Sequence, residues 1–161
     1  HQWSDVRKSY HSLIHRAREI YGFNCWEASA TLFYRWQALH RAAFGVVRNN
    51  ETYAIQENWI RSGLAHFVLA WEGYYEIDRM LAGALWIVYQ NCAYYASGPS
   101  LEPNVQHAVI WESLEQFKKQ GITLVEMGQI DWATQKEQNI GHFKQGFGGE
   151  TKAFQIVRRI V

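Results

Sequence analysis

Two cysteines in 161 residues, Cys25 and Cys92, cannot build a disulfide framework, and no CxxC is present. Zinc-ribbon and redox-pair chemistry are thereby set aside, and a reduced, cytoplasmic setting is expected. Prolines are as scarce: Pro99 and Pro103 stand close together, and no Pro-rich or low-complexity linker divides the chain. No apolar run approaches the roughly 20 residues of a membrane-spanning helix, and no signal peptide is visible. Neither sign of charge dominates. A net charge of +1 argues against a strongly basic nucleic-acid binder, while leaving room for a local basic patch. The chain opens on His1 rather than Met, which fits a trimmed piece of a longer protein.

What is abundant is aromatic. Eight Trp and nine Tyr imply a bulky core or a site lined with rings. The length suits one domain with a real core. One domain over 1–161 is therefore expected, beginning with a helix over 5–18 capped by Ser4. Strands are expected over Ile20–Glu27, Leu64–Glu72, Met80–Gln90, Cys92–Ser97, Thr123–Gln129 and Thr151–Val161. Helices fall between them, ending near Gly45, Gly63 and Gly121, with a last one from about Thr134 to Gln145. Short turns make a meander of the three central strands. A helix after Ser97 allows Thr123–Gln129 to return parallel to Cys92–Ser97. The fold class is α+β in α/β/α layers: a mixed sheet of about six strands with helices on both faces.

Several residues invite chemistry. Arg7, Lys8, His11, His15 and Arg18 share one helix face, either a solvated surface or a set of phosphate contacts. Glu126 lies in a strand between Val125 and Met127. There it is either a desolvated proton acceptor or the partner of a buried cation. Asp131 follows that strand, where ligands of parallel sheets gather or where a turn needs a cap. His11 and His15 have helical i, i+4 spacing but no third ligand, so no metal site is predicted. Ser97 and Ser100 lack a His–Asp pattern, which disfavours a serine hydrolase. Phe143-Lys144-Gln-Gly-Phe147-Gly148 reads locally as a helix end, with Phe143 and Phe147 packed at i, i+4, Lys144 on the helix dipole and Gly148 as cap.

The element order resembles the GNAT acyltransferase fold, and three segments are similar to its FemAB-like branch. They are Arg7–Ile14, the Tyr94–Gly98 strand end with the helix containing Ile110-Trp111-Glu112, and the FKxxFG close at Phe143–Gly148. The resemblance implies an acyl or aminoacyl transferase acting on an amine, with a link to bacterial-type cell-wall or surface-polymer biosynthesis. It implies an activated donor in the wedge between Cys92–Ser97 and Thr123–Gln129, met by Tyr95, Ser97, Gly98, Phe143 and Gly148. It also implies that Lys144 supports the reacting carbonyl or the donor phosphate. The donor is either aminoacyl-tRNA or acyl-CoA. The segment Gly98-Pro-Ser-Leu-Glu-Pro-Asn lacks the glycine pair of the acetyl-CoA binders, so tRNA is placed first. FemAB-like enzymes carry two such domains, so a second domain or a dimer partner is expected to complete the acceptor site. The alternatives are a GNAT-like module that binds without turnover, and an acetyl-CoA-dependent N-acetyltransferase with a degenerate donor loop.

Overall fold

A computed structural model describes residues 3–27, 30–45, 48–73, 79–102 and 104–153. The chain divides into two units, Lys8–Gln129 and a smaller one formed by 1–7 with 130–161.

The larger unit is built on a five-stranded sheet in the order β1-β2-β3-β4-β5. Its strands are β1 (Gly22–Glu27), β2 (Ala65–Glu72), β3 (Arg79–Tyr89), β4 (Cys92–Ser97) and β5 (Leu124–Glu126). Neighbours among the first four are antiparallel, and β5 runs parallel to β4, as the loop lengths require. The mixed sheet and its meander follow the sequence expectation. β5 is shorter than the expected 123–129. The sixth strand falls on residues that are not described beyond 153, and 151–153 lie outside any strand.

Alternation along β3 makes the two faces of the sheet. Leu85 belongs to a core with Phe33, Trp36, Ala65, Phe67 and Leu69, beneath α2 (Ala30–Phe44) and α3 (Asn50–Arg61). Gly83 makes room for this layer, because a Cβ there would stand 2.6 Å from Leu69 and 3.0 Å from Trp36. Trp86 points the other way, to α4 (Val105–Lys119). Its ring meets Phe117 edge-on at 5.1 Å, and its Nε1 donates to Ser113 Oγ at 3.0 Å. Ser113 in turn donates to the Val109 carbonyl at 2.7 Å, so this buried polar pair is satisfied. Helix α1 (Lys8–Ile20) buries Tyr10, Ile14 and Ala17, and it packs on α4. It begins three residues later than expected. Ser4 caps nothing there, and lies in a short 3-10 turn over Trp3–Asp5.

In the smaller unit, α5 (Gln135–Gln145) starts with a reciprocal capping box between Thr134 and Glu137. It ends at Gly146, whose carbonyl accepts the Arg7 N–H at 2.8 Å. Gly148 is not the helix cap. Its φ of +82° and its approach to Asp5, 3.0 Å from a would-be Cβ, both demand glycine.

Candidate active site

The candidate site lies at the C-terminal end of β4. At their starts β4 and β5 are tied together: the Asn91 carbonyl accepts from the Thr123 and Leu124 amides, and Asn91 Nδ2 donates to Thr123 Oγ1 at 2.7 Å. Pairing then runs Cys92–Leu124, Ala93–Val125, Tyr94–Glu126 and stops. From Tyr95 onward β4 has no β5 neighbour, although its other edge remains paired with β3.

That other edge carries a bulge. Trp86 pairs with Tyr95 and Leu85 with Ser97, which leaves Ala96 without an opposite residue. Beyond the bulge the chain does not leave the sheet as a loop. Pro99 accepts from the Gly83 amide at 3.0 Å, Leu101 donates to the Leu81 carbonyl at 2.7 Å, and Ser100 bridges to Ala82. Segment 98–101, expected as a loop, therefore extends β4. Antiparallel alternation turns the peptide groups of Ser100 away from β3, toward the edge that β5 does not cover. Arg79 fixes the end of this extension through Glu102 at 3.0 Å.

The bulge distributes the expected donor residues. The Tyr95 ring packs on Trp86 at 5.1 Å, on the α4 face. Its hydroxyl accepts from Gln106 Nε2 at 3.3 Å and lies directly under Gly98, where a Cβ would come within 1.7 Å of it. Burial pushes the Tyr95 pKa upward, so it stays protonated. Its hydroxyl therefore shapes the turn at Gly98. Ser97 faces α2 instead, and meets a pair that the sequence reading passed over. Arg48 Nη2 donates to Ser97 Oγ at 3.2 Å, and Arg48 Nε donates to His40 Nε2 at 2.9 Å. His40 is only 3% exposed, and burial, reinforced by the Arg48 charge, lowers its pKa and keeps it neutral. The signal was present in the sequence: His40 follows Trp36 by four residues, on the buried stripe of α2.

Two expectations need correction. Glu126 is exposed at the end of a three-residue strand, so the expected desolvation of its carboxylate is absent; it stands at the fork where β5 leaves β4. Arg18 is not an open phosphate contact, since it forms ion pairs with both Glu112 and Glu115 of α4. Arg7 and Lys8 are exposed. In the smaller unit, Phe143 and Phe147 meet edge-on at 5.3 Å, as their spacing predicts. Lys144, on the last turn of α5, is half-buried, and burial lowers its pKa.

A groove of about 250 Å³ lies in the larger unit between α1 and the start of α4, lined by Leu13, Arg16, Ile20, Tyr21, Asn104 and Val105. Asn104 precedes α4 with a left-handed backbone and makes no side-chain cap; its carbonyl accepts the His107 amide at 3.1 Å.

A parallel strand that parts from its neighbour beside a bulge, with a helix starting just beyond, decides the fold. It is the GNAT fold. The chain is similar to the aminoglycoside N-acetyltransferase AAC(6')-Iy, solved with a CoA bisubstrate analogue: TM-score 0.59, 10% identity, 86% of this chain and 99% of that one. It is similar to AAC(6')-Ih from Acinetobacter baumannii: TM-score 0.55, 16% identity, 87% and 100% of the two chains. It is also similar to FemX, with TM-score 0.62 and 13% identity over 83% of this chain, but it spans only 50% of FemX. No protein-family model matches the sequence, and no curated protein matches it. Among the described residues no helix is long and apolar enough to cross a membrane, and no cluster of His, Cys, Asp and Glu is arranged to hold a metal ion.

Proposed function

We propose that the chain is a GNAT-type N-acyltransferase that moves an activated acyl group onto an amine. The observation that carries this is the open edge of β4 from Tyr95 onward. Main-chain groups there have no β5 partner, so an extended amide-bearing donor can pair with them as an added strand. An amine lying alongside attacks the acyl carbonyl. Its nitrogen forms the new C–N bond, the bond from carbonyl carbon to the donor heteroatom breaks, and the amine proton passes to solvent or to a base. Glu126, at the fork, is the proposed base, working through water because it is exposed. On the likeness of Phe143–Gly148 to FKxxFG alone, Lys144 is the proposed positive charge for the oxyanion.

The comparisons reorder the donors. Two neighbours whose own chains are matched over 94% and 100% of their length are N-acetyltransferases, and one of them is solved with CoA. An acyl-CoA thioester therefore moves ahead of aminoacyl-tRNA. The start of α4, which has no side-chain cap from Asn104 and lies beside Arg16, is the proposed seat of the donor pyrophosphate. One observation keeps the FemAB-like reading as the second: the β4 extension offers a phosphate few amides. Pro99 and Pro103 have none, and Leu101 spends its own on β3.

The test is turnover with both donor classes. Acetyl-CoA plus a broad amine panel should release free thiol only when an amine is present. Transfer from aminoacyl-tRNA alone would restore the FemAB-like reading. No transfer from either donor would leave a binding module and overturn the proposal.

A further inference from the structure

Resting on the N-acyltransferase reading, we propose that the amine acceptor carries a carboxylate, and that Arg48 binds it beside the end of β4. Arg48 lies in the connection between α2 and α3. Its Nε and Nη2 are committed to His40 and Ser97, and both partners are neutral acceptors. None of the ion pairs among the described residues includes Arg48. A half-buried guanidinium without a counter-ion is unfavourable, because burial removes water without supplying an opposite charge. A ligand oxyanion supplies that charge.

The surroundings hold the guanidinium for such a task. His40 is almost fully buried and neutral, so its Nε2 can accept the Arg48 Nε–H and fix the plane of the fork. The cost is carried by the other ring nitrogen, Nδ1, which is buried with no hydrogen-bond partner. Ser97 fixes the second arm, and only the bulge at Ala96 brings Ser97 to this face. Nη1 makes no hydrogen bond among the described residues, and it leaves the guanidinium able to grip an oxyanion. The Arg48–His40–Ser97 cluster lies on the α2 face of β4, whereas Tyr95 and the start of α4 lie on the other. A cation here repels a polycationic acceptor such as an aminoglycoside, so the acceptor class differs from the one named for the similar structures. An amino acid or a peptide-like acid carries an amine and a carboxylate within a few bonds, as the placement beside β4 needs.

The common L-amino acids, each beside its own carboxamide, are the probes, used with the full chain. Calorimetric binding without donor is measured first, and KM in the transfer assay second. At least one free acid should bind at least about 10-fold tighter than its amide, and the preference should collapse toward one in Arg48→Gln. Arg48→Lys, which keeps the charge and loses the fork, should fall between. Circular dichroism and melting temperature verify that each variant is folded. If Arg48→Gln does not fold, loss of the acid preference in Ser97→Ala, which frees one arm of the fork, gives the same reading. Equal binding of acids and amides, or a preference untouched by Arg48→Gln, overturns the proposal. So does a result in which Arg48→Gln raises the KM of the acyl donor and pyrophosphate competes with that donor, since the oxyanion is then the donor's phosphate. Absence of transfer with any donor is a failure of the enzyme reading alone, because the Arg48-dependent binding of acids is read without turnover.

Discussion

Tyr95 and Ser97 are two residues apart on one strand, yet they face opposite sides of the sheet. Tyr95 stands against Trp86 and Gln106 under α4, and Ser97 stands against Arg48 on the side of α2. A regular strand would place both on one face. The single unpaired residue between them, Ala96, is what separates them, and it does so where β5 leaves β4. The two side chains therefore meet different neighbours, Gln106 of α4 on one face and Arg48 on the other.

The turn at Gly98 depends on the Tyr95 hydroxyl below it. A Gly98→Ala side chain would collide with that hydroxyl and with Gln106, 2.5 Å away. The change should destabilise the protein by about 1–3 kcal/mol, as overpacking typically does. Tyr95→Phe in the same chain should recover part of the loss and not all of it, because Gln106 and the ring itself remain close. Denaturant melts of the two single variants and the double variant give the comparison. Additive losses would contradict the contact.

Ser113→Ala tests the buried link between β3 and α4. It leaves the Trp86 Nε1–H without an acceptor inside the core, at a cost of roughly 1–3 kcal/mol. Trp86→Phe removes the donor. A Ser113→Ala change made in that background should cost much less than in the wild type. Chemical denaturation of the four proteins measures the coupling.

The strands and their meander were legible because apolar alternation and short turns are local signals. The bulge was not, since one inserted alanine leaves both the apolar pattern and the turn residues unchanged. Arg18 was misread for a different reason. Its partners Glu112 and Glu115 are far along the chain, and a charge on a helix face looks alike whether it meets solvent or another helix. Segment 98–101 was misread because two prolines suggest a loop. In an extended edge, however, Pro99 needs only its carbonyl, which accepts from Gly83. His40 was legible by its spacing from Trp36. Its meaning was not, because Arg48 and Ser97 reach it only in three dimensions.

Lys144 separates two roles on one variant. Burial lowers its pKa, so the folded protein binds that proton less tightly than the unfolded chain does. At neutral pH the charged amine therefore costs stability. That cost fades as pH rises through the lowered folded value toward the ordinary 10.5. Lys144→Met should melt higher than the wild type at pH 7, and the gap should close in alkali. If Lys144 also meets the developing oxyanion, turnover falls by about 100-fold or more in the same variant. Full turnover would leave Lys144 a helix-end residue only.

The central claim is that an acyl donor lies along the edge of β4 that β5 leaves open. Hydrogen–deuterium exchange with saturating acetyl-CoA, and in parallel with aminoacyl-tRNA, reads it most directly. The account predicts slowed exchange in peptides covering 95–102 and the start of α4, with α3 unchanged, for the donor that the protein uses. Slowed exchange confined to other elements, or none with either donor present, would contradict it.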